Sequence, residues 1–259
     1  MNTTSMPGGA RTRETGNPAF DPARFATATA VGQPTMTVSG TAGKAMVFTL
    51  VLIAAATGGW SSVTADPSGV VVWPGWVWWV GLTAFVFAII TLVRPQSAAI
   101  TGLIYAALEG AMLGAISAIY EVRFDGIIVQ AVILTIAVLV ATLLLYMVGA
   151  VKATGRLARG VTVAMGGLLL LYLFGWIMSI FGVNAAFWAR PTSFGVFFSV
   201  VVVALAALNL VLDFDMIERL SRSGAPKHME WYAAFGLTLT LVWLYLEVIR
   251  LIALSRSRQ

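Results

Sequence analysis

Seven long apolar runs, parted by short polar linkers, constrain this chain more than any other feature. They fall at about 44–60, 70–93, 98–120, 126–150, 160–183, 193 to at least 212, and 231–254. Each reaches the ~17–25 residues that a helix needs to cross the hydrocarbon core of a bilayer. Of the 259 residues, 59% are apolar and only 10% are charged, and mean hydropathy is +0.89. A soluble domain is excluded, because the polar residues are too few to cover its surface. An outer-membrane barrel is excluded as well, since its strands alternate polar and apolar in segments of about ten residues. The expected fold is therefore an all-α membrane protein with seven transmembrane helices. The linkers carry Asp66-Pro67 with Gly69, Arg94-Pro95, Arg190-Pro191, and Gly224 with Pro226. Their shortness makes consecutive helices antiparallel.

Residues 1–43 differ in composition, being rich in Gly, Thr, Ala and Pro. They lack an apolar core of signal-peptide length and read as a disordered cytoplasmic tail. The membrane domain is expected at 44–255, followed by a short basic tail at 256–259. With the N-terminus inside, eleven of the sixteen Lys and Arg residues face inward. That bias favours a cytoplasmic N-terminus and an outer C-terminus. The basic C-terminal end opposes the last crossing. Trp60, Trp73, Trp76, Trp78, Trp79, Trp188 and Trp231 fall at predicted span ends, where tryptophan anchors in the interface.

The residue inventory removes several chemistries. Cysteine is absent and His228 is the single histidine. No thiolate metal site, histidine cluster, zincin motif or Ser–His hydrolase is therefore available, and no enzymatic activity is expected. No lysine lies in span seven to form a Schiff base. The net charge of +5 fits basic loops beside an anionic leaflet, and no nucleic-acid partner is expected.

Ionisable groups inside spans are the informative residues, because each costs about 2.5–3.5 kcal/mol at a helix centre. Glu109 lies in span three, Asp213 and Asp215 near the inner end of span six, and Glu247 in span seven. Asp213 is the deeper of its pair. Glu218 and Arg222, four apart, extend that helix toward Ser223, where Gly224 and Pro226 end it. Glu247 has two readings. It pairs with Arg250 one turn later, or it turns inward and meets Asp213. In the second, two carboxylates in a low-dielectric site share a proton, and a divalent cation such as Ca²⁺ relieves their repulsion. Depth opposes the meeting, since Glu247 lies ~24 Å along its helix from Trp231 while Asp213 lies ~8 Å from Glu218. Glu109 is a candidate for an ion or proton pathway, or else a protonated acid bonded to a neighbouring helix. Arg94 is a topology marker by default and a candidate latch partner of Asp213. Ala106, Gly110, Gly114 and Ala118 recur every four residues, a small-residue seam that admits a close helix.

The seven-span layout, Leu108-Glu109-Gly110-Ala111-Met112-Leu113-Gly114, Leu212-Asp213-Phe214-Asp215-Met216-Ile217, and Leu244-Tyr245-Leu246-Glu247-Val248-Ile249 resemble the Bax inhibitor-1 (transmembrane Bax inhibitor motif) family, bacterial branch, over about 44–255. The resemblance implies a last helix surrounded by the other six. It implies a pH-sensitive calcium leak controlled by a carboxylate dyad, with Asp213 and Glu247 at the two positions. Better-studied members carry Asp at the second. A monomer in a bacterial plasma membrane is expected, with no cofactor beyond Ca²⁺ as a bound or permeant ion. Two alternatives remain: a non-conducting regulator of a membrane protease or other integral complex, and a proton-coupled transporter.

Overall fold

In the computed structural model, residues 34–64, 72–183 and 186–258 are described. The expected tail is outside these up to residue 33, as is the 65–71 linker with Asp66, Pro67 and Gly69. Among the described residues, seven helices are long and apolar enough to cross a membrane. They are α1 Val38–Ser61, α2 Trp76–Val93, α3 Ala98–Arg123, α4 Ile127–Met147, α5 Gly155–Ile180, α6 Ser193–Arg222 and α7 Met229–Arg256. The described residues include no strand, only an isolated bridge between Thr35 and Pro226.

Local chemistry sets the helix ends. Threonine caps three of them: Thr37 accepts from Gly40 N–H, Thr154 from Leu157 N–H and Thr192 from Gly195 N–H. Each satisfies a donor that an apolar segment leaves without a partner. The Thr37 cap starts α1 at Val38, six residues before the expected span. At the end of α6, Gly224 adopts φ 69°, and the Ala225 N–H reaches back to Leu220 O at 3.1 Å. That left-handed residue and six-to-one bond stop the helix where the Gly–Pro signal places its end.

Helix α7 is central. Its most apolar window is half buried, the largest share of any span. Helices α1, α3, α4 and α6 pack directly on it, while α2 lies mainly on α3 and α5 mainly on α6. Among the described residues, two larger buried clusters flank α7, besides a smaller one at Ala233. One joins Leu210, Leu244, Val248 and Ile249 to Ile127 and Ala131, and the other joins Phe235 to Phe48, Tyr105 and Ala84. The small-residue seam of α3 receives α1. A Cβ on Gly110 would stand 2.3 Å from the Leu52 carbonyl oxygen, and one on Gly114 2.0 Å from that of Ala56. Gly59 of α1 completes the fit, 1.9 Å from the Ala111 oxygen by the same measure. Only glycine permits backbones this close.

Trp60, Trp73, Trp78 and Trp79 are exposed at span ends, as interfacial anchors are. Trp188 is a correction. It is buried, stacked on Tyr172 of α5 with ring centroids 6.1 Å apart, because the 187–189 turn folds inward onto the bundle. Below, the face at which α1 begins is called the near face, and the opposite one the far face.

Candidate functional site

The register of α6 against α7 places the acids. Asn209 of α6 donates through its side-chain amide to the Thr240 hydroxyl of α7 at 2.9 Å. The same hydroxyl donates to Gly236 O of its own helix at 3.4 Å and lies beside the Asp213 carboxyl. Asp213 Oδ2 is buried and has no hydrogen-bond partner among the described residues. A buried carboxyl oxygen without a donor is costly. Asp215 is tied to its own helix by an ion pair with Arg219. One turn on, Glu218 takes Arg222 at 2.5 Å and the Tyr146 hydroxyl of α4 at 2.5 Å, holding the near end of α6 to α4.

Glu247 occupies another level. The Tyr172 hydroxyl of α5 donates to its Oε1 at 2.8 Å, and Arg250 donates to its Oε2 at 3.3 Å. Arg250 also reaches the Tyr172 oxygen at 2.8 Å and the Trp188 carbonyl at 2.9 Å. Its guanidinium stands over the rings of Tyr172 and Phe198, 5.7 and 5.6 Å from their centroids. The acid is thus neutralised by its helix neighbour, the first of the two readings above.

The expected contact between Asp213 and Glu247 is not made. No hydrogen bond joins them, and their polar partners differ. Thr240, the neighbour of Asp213, precedes Glu247 by seven residues, about 10 Å of helix rise. By the antiparallel register, Glu247 faces the stretch of α6 from Val202 to Ala206. The depth difference between the two acids is therefore kept in the folded bundle. A calcium ion takes six to eight oxygens at 2.3–2.6 Å, and this separation does not build that shell. Among the described residues no group of three or more His, Cys, Asp or Glu lies together.

Glu109 is buried, 8% exposed, on the face of α3 that carries Tyr105 one turn earlier. Its carboxyl has no hydrogen-bond partner among the described residues, so the bond to a neighbouring helix is not formed. Arg94 is also a correction to its candidate latch role. It lies exposed at the C-terminal end of α2 and forms no ion pair with Asp213. Its position beyond the last apolar turn leaves it free to reach the interface.

Sequence reasoning missed the most heavily bonded acid. Glu230, in the first turn of α7, is fully buried. Lys227 binds its Oε1 at 2.7 Å, and Lys44 of α1 pairs with its Oε2. The Thr37 N–H and hydroxyl donate to Oε1 at 2.9 and 3.0 Å. A Cβ on Gly40 would stand 2.1 Å from Oε1, so the glycine makes room for the carboxylate. Beside it, Met36 N–H donates to Ala225 O at 2.7 Å, and the Ser221 hydroxyl reaches Met36 O at 3.3 Å. The available signal was a lysine just inside the start of a span, matched by an acid at the start of another on the same side.

A model of the Bax inhibitor 1-like family matches residues 17–257. No curated protein and no solved structure matches the chain. With seven helices long and apolar enough to cross a membrane among the described residues, and with the family model covering almost the whole sequence, the chain belongs to the Bax inhibitor 1-like family.

Proposed function

We propose that this protein is a cation leak, calcium being the leading candidate ion, controlled by a proton on Asp213 at the α6–α7 interface. The observation that carries the reading is the buried Asp213 Oδ2 without a donor. A carboxyl in that setting is stabilised by a proton or by a cation, and by little else. Protonated, it fits beside Thr240 and Asn209, and the two helices stay together. Ionised, it carries a charge that only an entering cation or separation of the helices relieves. Flux therefore rises as pH rises. Glu109, 8% exposed and without a hydrogen-bond partner among the described residues, is the second acid proposed to line the path. Glu247 has no part in the proton switch, since Tyr172 and Arg250 already satisfy it.

Purified full-length protein in liposomes loaded with a calcium indicator tests this. Flux is expected to increase with pH, by at most about tenfold per pH unit for one proton. Asp213→Asn removes the pH dependence, and Glu247→Gln preserves it. A pH response unchanged in Asp213→Asn overturns the assignment. Absence of flux at every pH favours the non-conducting regulator.

A further inference from the structure

A cleft of about 500 Å³ opens on the side of the bundle in its far half. Its side walls come from α1 and α4, which share no substantial interface, and its back wall from α3 and α7. We propose that this cleft holds one acyl chain of a phospholipid from the far leaflet.

Length is the first argument. The α4 wall runs from Ile128 to Leu139. Those eleven residue steps rise about 16 Å, close to half of a hydrocarbon core about 30 Å thick. Trp60 stands at the far end of the α1 wall, where an interfacial ring belongs. The cleft thus begins at the depth of headgroups and stops near the midplane, the extent of one leaflet.

The second argument is the state of its polar groups. Four threonines line the walls, and each hydroxyl is bonded to its own helix. Thr49 bonds Ala45 O, Thr57 bonds Ala54 O, Thr135 bonds Ala131 O and Thr238 bonds Ala234 O, all within 2.9 Å. Ser117 and Tyr245 satisfy each other at 2.8 Å. These hydroxyls leave water and ions little to bind, and what remains of the wall is apolar. The interior of the Asp213 site is the opposite case, with a carboxyl oxygen left open.

The third argument is access. Ile53 and Ile136, one on each side wall, are both 54% exposed at the mouth, so the cleft opens to the bilayer and not to water. Its volume lies in the range of ~300–1,000 Å³ typical of small-molecule sites. Ile128, Val132, Leu139, Leu52 and Leu241 supply apolar contact along its length.

Photolabelling tests the assignment. Full-length protein is reconstituted in phosphatidylcholine–phosphatidylglycerol liposomes containing a trace of phosphatidylcholine with a diazirine near the end of one acyl chain. After irradiation, adducts are mapped by peptide mass spectrometry. Adducts are expected on the back wall at Leu113 and Leu241, besides those on the outward residues Val129 and Ile133. Thr135→Trp, which fills the cleft from α4, and Thr57→Phe, which fills it from α1, are each expected to lower back-wall labelling at least about fivefold. Labelling of Val129 and Ile133 stays constant and reports that each variant is folded and in the bilayer. Thr135→Val retains wild-type labelling. Back-wall adducts at background in the wild type, or undiminished in both filling variants, overturn the proposal. So does native mass spectrometry of the purified protein that finds a non-lipid small molecule, or a second copy of the chain, protecting the back wall.

Discussion

Glu230, fully buried in the first turn of α7, and Asp213 of α6, part-buried with its Oδ2 shielded, have opposite surroundings. Glu230 has two lysines, a backbone N–H and a hydroxyl around its two oxygens. Asp213 has Thr240 on one side and an oxygen with no donor on the other. The same chemical group is therefore fully bonded in one place and incompletely bonded in the other. A fully compensated acid stabilises its ion pairs and resists protonation within a folded protein. Burial alone therefore does not distinguish acids in this bundle; their partners do.

The largest expected effect comes from breaking the compensated side. Glu230→Ala leaves Lys44 and Lys227 facing one another without their shared counter-ion, and frees the Thr37 donors. Thermal unfolding in detergent should reveal a loss of about 3 kcal/mol, the usual cost of removing one member of a buried pair. Gly40→Ala should act in the same direction, since its methyl occupies the space of Oε1. If both variants keep wild-type stability, the near-face clasp contributes nothing and the contrast with Asp213 fails.

A smaller loss is expected at the far half. Tyr172→Phe removes the donor to Glu247 and the acceptor of Arg250, about 1–2 kcal/mol in total. The effect should be local. Helix α5 lies mainly on α6, and its polar attachment to α7 runs through Tyr172. Hydrogen exchange should quicken in α5 and stay unchanged in α3. Uniform loosening of the bundle would show that Tyr172 is not what holds α5 in place.

Asp213→Asn should change stability by less than about 1 kcal/mol, because it exchanges an uncompensated acid for a neutral amide of the same shape. A fall as large as that of Glu230→Ala would mean that Asp213 has donors after all, and the distinction between the two acids would collapse.

The residues explain why some of this was legible before folding and some was not. Span number and length follow from apolar runs, because the bilayer imposes one length on every crossing helix. The seam at Gly110 and Gly114 was readable since a four-residue spacing of small side chains has one packing use. The end of α6 at Gly224 is equally local. The register of α6 on α7 is not local. It depends on how far each helix extends beyond the bilayer, and α7 starts at Met229 in a loop that Glu230 pulls into the bundle. Trp188 was misplaced for a related reason. Its loop position suggests an interface, whereas its burial depends on Gly175 of α5, where a Cβ would lie 2.7 Å from the indole.

The smallest expected effect is the most discriminating. Asp213 and Glu247 share no partner and stand about 10–16 Å apart along the α6–α7 register. Sites so separated have additive energies within about 0.3–0.5 kcal/mol. The cycle of Asp213→Asn, Glu247→Gln and the double variant should therefore close without coupling in thermal unfolding at acid and at neutral pH. Two carboxylates sharing a proton predict the reverse, because the proton held by one is lost when the other becomes an amide. Coupling above about 1 kcal/mol that appears only at acid pH would show that α6 slides to bring the acids together, making the separation seen here one of two arrangements. Closure of the cycle at both pH values leaves Asp213 to titrate alone, with Glu247 bound to α5 by Tyr172 and Arg250.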